Sequence, residues 1–232
     1  TCNYVQIKKN TMKKFALIVA AGSGSRMNAA VPKQFIEING RPVLIHTFDV
    51  FLQYDPQIEF ILVLPKDLVE LWKSLCKKHN FNLLHKIALG GETRFDSVKN
   101  GLDLISDEGV VFIHDGVRPL VSINTLKNCF ETALEKGNSL PVVTVSESIR
   151  MVEGSKNCAV DRSKYFLVQT PQTFKTHLIK KAYQQATSNV YTDDATVMEN
   201  SGQTIHLVEG NRENIKITFA EDLVYAKMLL KR

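Results

Sequence analysis

A chain of 232 residues, 44% hydrophobic and 23% charged, has the composition of an ordinary soluble globular protein, large enough for one generous α/β domain. A formal net charge of +5 without a clustered basic face argues against nucleic acid as a partner, and no apolar run reaches the length of a membrane span. Cys2, Cys76, Cys129 and Cys158 are scattered with no CxxC pair, which reads as a set of reduced thiols in the cytoplasm.

Residues 1–11 carry no period and no apolar run, so they read as an N-terminal extension ahead of Met12, the expected native start; without an apolar h-region they are not a signal peptide. FALIVA (15–20) predicts a central parallel strand delivering a glycine loop to its carboxyl end. Asn39-Gly40 predicts a turn, and a helix follows from about Pro42. FILVLP (60–65) predicts a second strand, followed by a helix capped by Asp67 with Leu68, Leu71, Trp72 and Leu75 on one face. Strands at 85–91, 110–116 and 140–145 alternate with helices near 94–105 and 122–136. That alternation predicts an α/β, Rossmann-like fold: a mostly parallel sheet with helices on both faces.

The rhythm breaks at 146–165, a polar, β-branched stretch interrupted by Gly154, which predicts a protruding β-arm. Beyond it lie expected helices at 175–187 and 193–200, strands at 205–210 and 215–218, and a last helix from Glu221. Residues 12–232 therefore read as a single domain with one arm.

Gly22 and Gly24 admit close approach of the backbone to a ligand and leave N–H groups facing anions, while Arg26 and Lys33 bring two cations to the same loop. This is the chemistry of a polyphosphate grip. It is not a dinucleotide fingerprint, because Met27 stands at the third glycine position, nor a Walker loop, because Lys33 follows Pro32. Each cation alone could be a solvated loop charge. Gly90-Gly91-Glu92-Thr93-Arg94 with Ser97 follows a strand, where open α/β sheets place ligands, but a tight turn into a helix reads the same way.

Asp115, in HDGVRP, ends an apolar strand and could hold Mg²⁺ together with a phosphate oxygen, or simply pair with Arg118 to close the turn. Lys216 alternates with Ile215 and Ile217, as a lysine on a solvent face also would, and Arg162 is a further cation. Thr192-Asp193-Asp194 reads as a helix cap, and the six histidines have no zinc-ligand spacing.

Taken together, AAGSGSRM…PKQF, GRPVLIHTF, GGETRFDSV, HDGVRP, VDR, QTPQTF, TDDATVME and VEGNRENIKIT stand in an order that resembles the 2-C-methyl-D-erythritol 4-phosphate cytidylyltransferase family from Lys13 to Arg232. The resemblance implies transfer of CMP from CTP to a sugar-alcohol phosphate, with Mg²⁺ at Asp115 and release of pyrophosphate. It implies that Arg26 and Lys33 hold the triphosphate and that Lys216 reaches the α-phosphate from the opposite side. Ala20, Ala21, Gly22 and Gly24, with Gly91, Glu92 and Ser97, would read cytosine and ribose. Asp115 and Arg118 would face the acceptor, and Arg162 and Thr170 its phosphate. The arm would form a homodimer, carrying Ser148 and Arg162 to the neighbouring subunit's site.

Two positions depart from the family's commonest pattern: Glu147-Ser148 stands for Asp-Thr, and HDGVRP for HDAARP. A cytidylyltransferase for another polyol phosphate, such as ribitol 5-phosphate, would carry glycines where this chain has Ala21 and Val168. A non-catalytic nucleotide-binding relative would have lost some of Arg26, Lys33, Asp115, Arg118, Arg162 and Lys216, yet all are present.

Overall fold

Apolar runs without alternation belong where a sheet is covered on both faces. Such a run forms β1 (Lys13–Val19), buried from Phe15 to Ile18, in a computed structural model that describes residues 12–22 and 31–230. Next come a small hairpin, β2 (Glu37–Ile38) and β3 (Arg41–Pro42), and helix α1 (Val43–Tyr54). Asn39 and Gly40 turn that hairpin with φ of 51° and 79°, as their sequence predicts. The chain continues through β4 (Glu59–Leu64), α2 (Val69–Lys78), β5 (His85–Leu89), α3 (Arg94–Leu102), β6 (Gly109–Asp115), α4 (Ile123–Lys136) and β7 (Asn138–Thr144). An exposed hairpin of β8 (Arg150–Glu153) and β9 (Lys156–Ala159) forms the arm, turned by Gly154 at φ 58°. Then follow β10 (Phe166–Val168), β11 (Gln172–Lys175), α5 (Thr176–Gln185), α6 (Asp194–Asn200), β12 (Leu207–Glu209) and α7 (Ala220–Leu229).

The main sheet runs β10-β7-β11-β6-β1-β4-β5, with β12 beside β7. Strands β6, β1, β4 and β5 are parallel, in a register that sets Val19 opposite both Asp115 and Val63. β11 enters antiparallel between β6 and β7. Alternate residues of β1 serve opposite layers. Ala16 and Ile18 join Phe48, Phe51, Leu62, Trp72 and Leu126 on the side of α1, α2 and α4. Phe15 and Leu17 join Val98, Leu102, Ile179 and Met198 on the side of α3, α5 and α6. Each fully buried Leu, Ile, Val, Phe or Met among them contributes roughly 1.5–3 kcal/mol. This anchors the strand ends on which the site is built.

Two local expectations change. Asp67 lies within a 3-10 turn, Lys66–Leu68, and α2 begins after Leu68 without a side-chain cap. Pro65, at the head of that turn, sets the entry instead, and Leu71 on the next turn points to solvent while Trp72 is buried. Residues 215–218 form no strand: Ile217 N donates to Val117 O at 2.9 Å, and its side chain packs with Ile38, Val43 and Ala226. Among the described residues, no helix is long and apolar enough to cross a membrane.

Candidate active site

The carboxyl ends of β1, β5 and β6 open together into a cavity of about 430 Å³. This is the edge of an open parallel sheet where ligands bind. Strand-end hydrogen bonds knit its floor: Ala20 N to Val63 O at 2.9 Å, Gly90 N to Leu64 O at 2.8 Å, and Gly116 N to Val19 O at 2.8 Å. Ala20, Ala21, Gly22, Lys33, Gly91, Glu92, Ser97, Asp115 and Lys216 all line this one cavity. Gly24 and Arg26 lie outside the described residues, as do residues 1–11.

Lys33 is delivered by the 3-10 turn Lys33–Phe35, which is fixed by its two following residues. Phe35 is buried and stacked against Trp72 at 5.9 Å, and buried Gln34 donates from Nε2 to Ala20 O at 3.0 Å. With the turn held, Lys33 Nζ reaches Ile217 O at 3.2 Å, across 184 residues of sequence. Lys216 reaches the cavity because its neighbours face inward. Ile217 is fully buried, and buried Asn214 donates to Thr170 O at 2.8 Å. Ile215 is half-buried and Lys216 exposed, so the alternation read from the sequence holds over 215–217 without a strand, while Asn214, which the same alternation would turn outward, is buried.

Asp115 takes Lys216 Nζ at 3.1 Å and Arg118 Nε at 3.2 Å, both on Oδ2. The turn-closing pair anticipated with Arg118 thus exists, and the same carboxylate also lines the cavity. Burial alone would raise its pKa, but Lys216, Arg118 and Arg94 outweigh it and hold Asp115 ionised below the ordinary carboxylate range. Arg118 is braced by Asn214 O at 2.7 Å. Behind the strand end, the Thr170 hydroxyl accepts from Asp115 N at 3.1 Å and pairs with His114 Nδ1 at 3.0 Å. Thr170 therefore supports Asp115 from beneath. Ser148 and Arg162 sit on the exposed arm, outside the lining, with an Arg162 guanidinium nitrogen donating to Ser146 O.

The opposite wall is the start of α3. Thr93 caps it through a reciprocal box with Asp96, Thr93 N to Asp96 Oδ2 and Asp96 N to Thr93 Oγ1, both 3.1 Å. Gly91 N donates to Ser97 Oγ at 3.0 Å, and a Cβ on Gly91 would stand 2.3 Å from that of Asp96. Only glycine permits this approach. Arg94, also in the lining, forks onto Asp194 at 2.8 and 2.6 Å. Asp193 caps α6 as its sequence predicts, accepting from Thr196 N at 3.0 Å. The adjacent Asp194 has this second task, which sequence reading missed along with Gln34. Neither leaves a periodic signal: Gln34 follows Lys33, and Asp194 stands among Thr192, Asp193 and Thr196.

These groups suit anions rather than nucleophilic catalysis. Burial pushes His114 down to about 4, so it stays neutral beneath the site, and pushes the Cys129 thiol up to about 12. A helix start, two lysines and a braced arginine instead supply preorganised positive potential. The described residues contain no group of three or more side chains suited to hold a metal. One carboxylate at the cavity does fit magnesium, which takes one or two carboxylates and completes its shell with phosphate oxygens and water.

A family model for 2-C-methyl-D-erythritol 4-phosphate cytidylyltransferase matches residues 15–232. The protein of that name from Bacteroides thetaiotaomicron is 48% identical over 219 residues, spanning 94% of this chain and 100% of its own length. That from Bacteroides fragilis is 49% identical with the same coverage, 94% and 100%. The crystal structure of the Thermus thermophilus cytidylyltransferase superposes with a TM-score of 0.79 at 31% identity, over 95% of this chain and 100% of that one. The 4-diphosphocytidyl-2C-methyl-D-erythritol synthase from Anaerococcus prevotii reaches 0.80 at 27% identity, over 95% and 99%. By sequence and by fold, across nearly its whole length, the chain belongs to the 2-C-methyl-D-erythritol 4-phosphate cytidylyltransferase family.

Proposed function

We infer that this enzyme transfers CMP from CTP to 2-C-methyl-D-erythritol 4-phosphate, giving the CDP-alcohol and pyrophosphate in isoprenoid precursor biosynthesis. The observation that carries this reading is the meeting of Lys33 and Lys216, from opposite ends of the chain, on one cavity walled by the start of α3.

A phosphate oxygen of the acceptor attacks the α-phosphorus of CTP, a new P–O bond forms, and the α–β P–O bond breaks to release pyrophosphate. The acceptor phosphate is already ionised near neutral pH, so no general base is needed. The barrier lies in bringing two anions together, and positioned cations lower it. In this reading Lys33, with Arg26, holds the triphosphate, while Lys216 offsets charge developing at the α-phosphate. Arg118 and Asp115 face the acceptor, and the wall of Gly91, Glu92 and Ser97 receives cytosine and ribose. When bound at Asp115, magnesium supplies further neutralisation of phosphate charge.

A homodimer in which Ser148 and Arg162 serve the neighbouring subunit's site is supported by the apolar side chains exposed on the arm and just after it, Met151 and Val152 at 48% and 68% and Phe166 and Leu167 at 44% and 54%, which a second subunit would cover. Cys76, Cys129 and Cys158 are unpaired thiols, which favours a reducing compartment such as the cytoplasm.

The test is turnover of CTP with each of two acceptors. Pyrophosphate release with 2-C-methyl-D-erythritol 4-phosphate, at least about tenfold faster than with ribitol 5-phosphate, is the expected result. Equal or reversed preference would overturn the choice of acceptor.

A further inference from the structure

The Arg94–Asp194 pair joins the cavity wall to a part of the chain 100 residues away. We propose that Asp194 is a positioning residue for the nucleotide: by fixing both terminal nitrogens of Arg94 it holds the first turn of α3, and with it Gly91, Glu92 and Ser97, in the geometry that receives CTP. This rests on the reading that this wall is the nucleotide side of the cavity.

Asp194 is itself immobilised. It is fully buried, accepts the Tyr183 hydroxyl at 2.6 Å, and donates from its backbone N to Gln172 Oε1 at 2.9 Å. The Tyr183 ring in turn stacks on Phe95, the residue after Arg94, with centroids 4.5 Å apart and planes 13° apart. Two successive residues of the first α3 turn are thereby gripped from α5 and α6. Arg94 matters to the site as well as to the grip, because it lines the cavity and its charge adds to the field on Asp115. A guanidinium forked onto Asp194 is not free to swing toward Asp115 or an incoming phosphate. Bidentate pairing fixes orientation as well as distance, which a lysine could not do. A buried ion pair is weak evidence for stability alone, since apolar residues often serve as well; register is the better-attested use.

Steady-state kinetics of Asp194→Asn and Arg94→Lys, varying CTP and acceptor separately, test this together with thermal melts. The expected result is a KM for CTP raised about tenfold in Asp194→Asn and about threefold or more in Arg94→Lys, with the acceptor KM within about twofold and kcat within about threefold. An unchanged CTP KM, or both KM values rising together, would overturn the proposal. Should Asp194→Asn fail to fold, Arg94→Lys decides by the same criteria, its side chain being partly exposed at 25%. The wild type run alongside separates the two readings. No pyrophosphate from CTP and 2-C-methyl-D-erythritol 4-phosphate sinks the enzyme assignment. An active wild type with variants of unchanged CTP KM sinks only the role of Asp194.

Discussion

Two cations, Arg118 and Lys216, converge on one oxygen of Asp115. Asp115→Asn keeps the shape and removes the charge. Turnover is expected to fall by about 10²-fold or more, the scale of losing one preorganised electrostatic group, with a higher magnesium requirement. A titration of rate against magnesium that leaves both unchanged would contradict this. His85 permits a pH prediction. The Trp72 indole can only donate, so His85 Nε2 accepts from it at 2.9 Å, and Nδ1 donates to Leu83 O at 2.8 Å. Burial lowers the His85 pKa from 6.5. The unfolded chain therefore binds more protons below pH 6.5, and stability falls as pH drops from there toward the folded value. Urea midpoints of His85→Gln should lose less between pH 7 and pH 5 than wild type, without becoming flat, because buried His114 titrates in the same direction. At this scale the cations were legible in the sequence, as charges among apolar or glycine-rich neighbours. Arg94–Asp194 was not, since nothing local tells an aspartate in a helix cap that its partner lies 100 residues away.

Among elements, α3 links core to site. Gly101 lets it settle against β1 and β4: a Cβ there would stand 2.8 Å from Leu17 Cδ1 and 3.1 Å from Val63 Cγ2. Alanine in a helix is favoured over glycine by up to about 1 kcal/mol. Overpacking a rigid core costs about 1–3 kcal/mol, so the cost wins. Gly101→Ala is expected to lower stability by about 1 kcal/mol in urea unfolding; a stabilised variant would show that the α3 contact is looser than described. The parallel strands were readable from continuous apolar runs, and the arm from its polarity around Gly154. The antiparallel insertion of β11 was not, because Gln172–Lys175 has the same pattern in either direction. Residues 215–218 misled for a related reason: alternation records which side chains are inward, and a single bond to Val117 suffices for that without a ladder.

For the whole molecule, a dimer through the arm predicts a solution mass near twice the 26.1 kDa of one chain, and a monomer when residues 150–159 are replaced by a short turn. Light scattering that finds the intact chain monomeric would refute it. If distant cations meet on one phosphorus, single-turnover pyrophosphate release from CTP with magnesium and 2-C-methyl-D-erythritol 4-phosphate will register the loss of either lysine, in Lys33→Ala and Lys216→Ala beside wild type. Lys33→Ala is predicted to melt within about 2 °C of wild type and Lys216→Ala several degrees lower, because it leaves buried Asp115 with one cation fewer, and each, assayed well below its melt, to release pyrophosphate about 10³-fold more slowly or worse. Near-wild-type release from either folded variant would show that the missing lysine does not act at the reacting phosphorus.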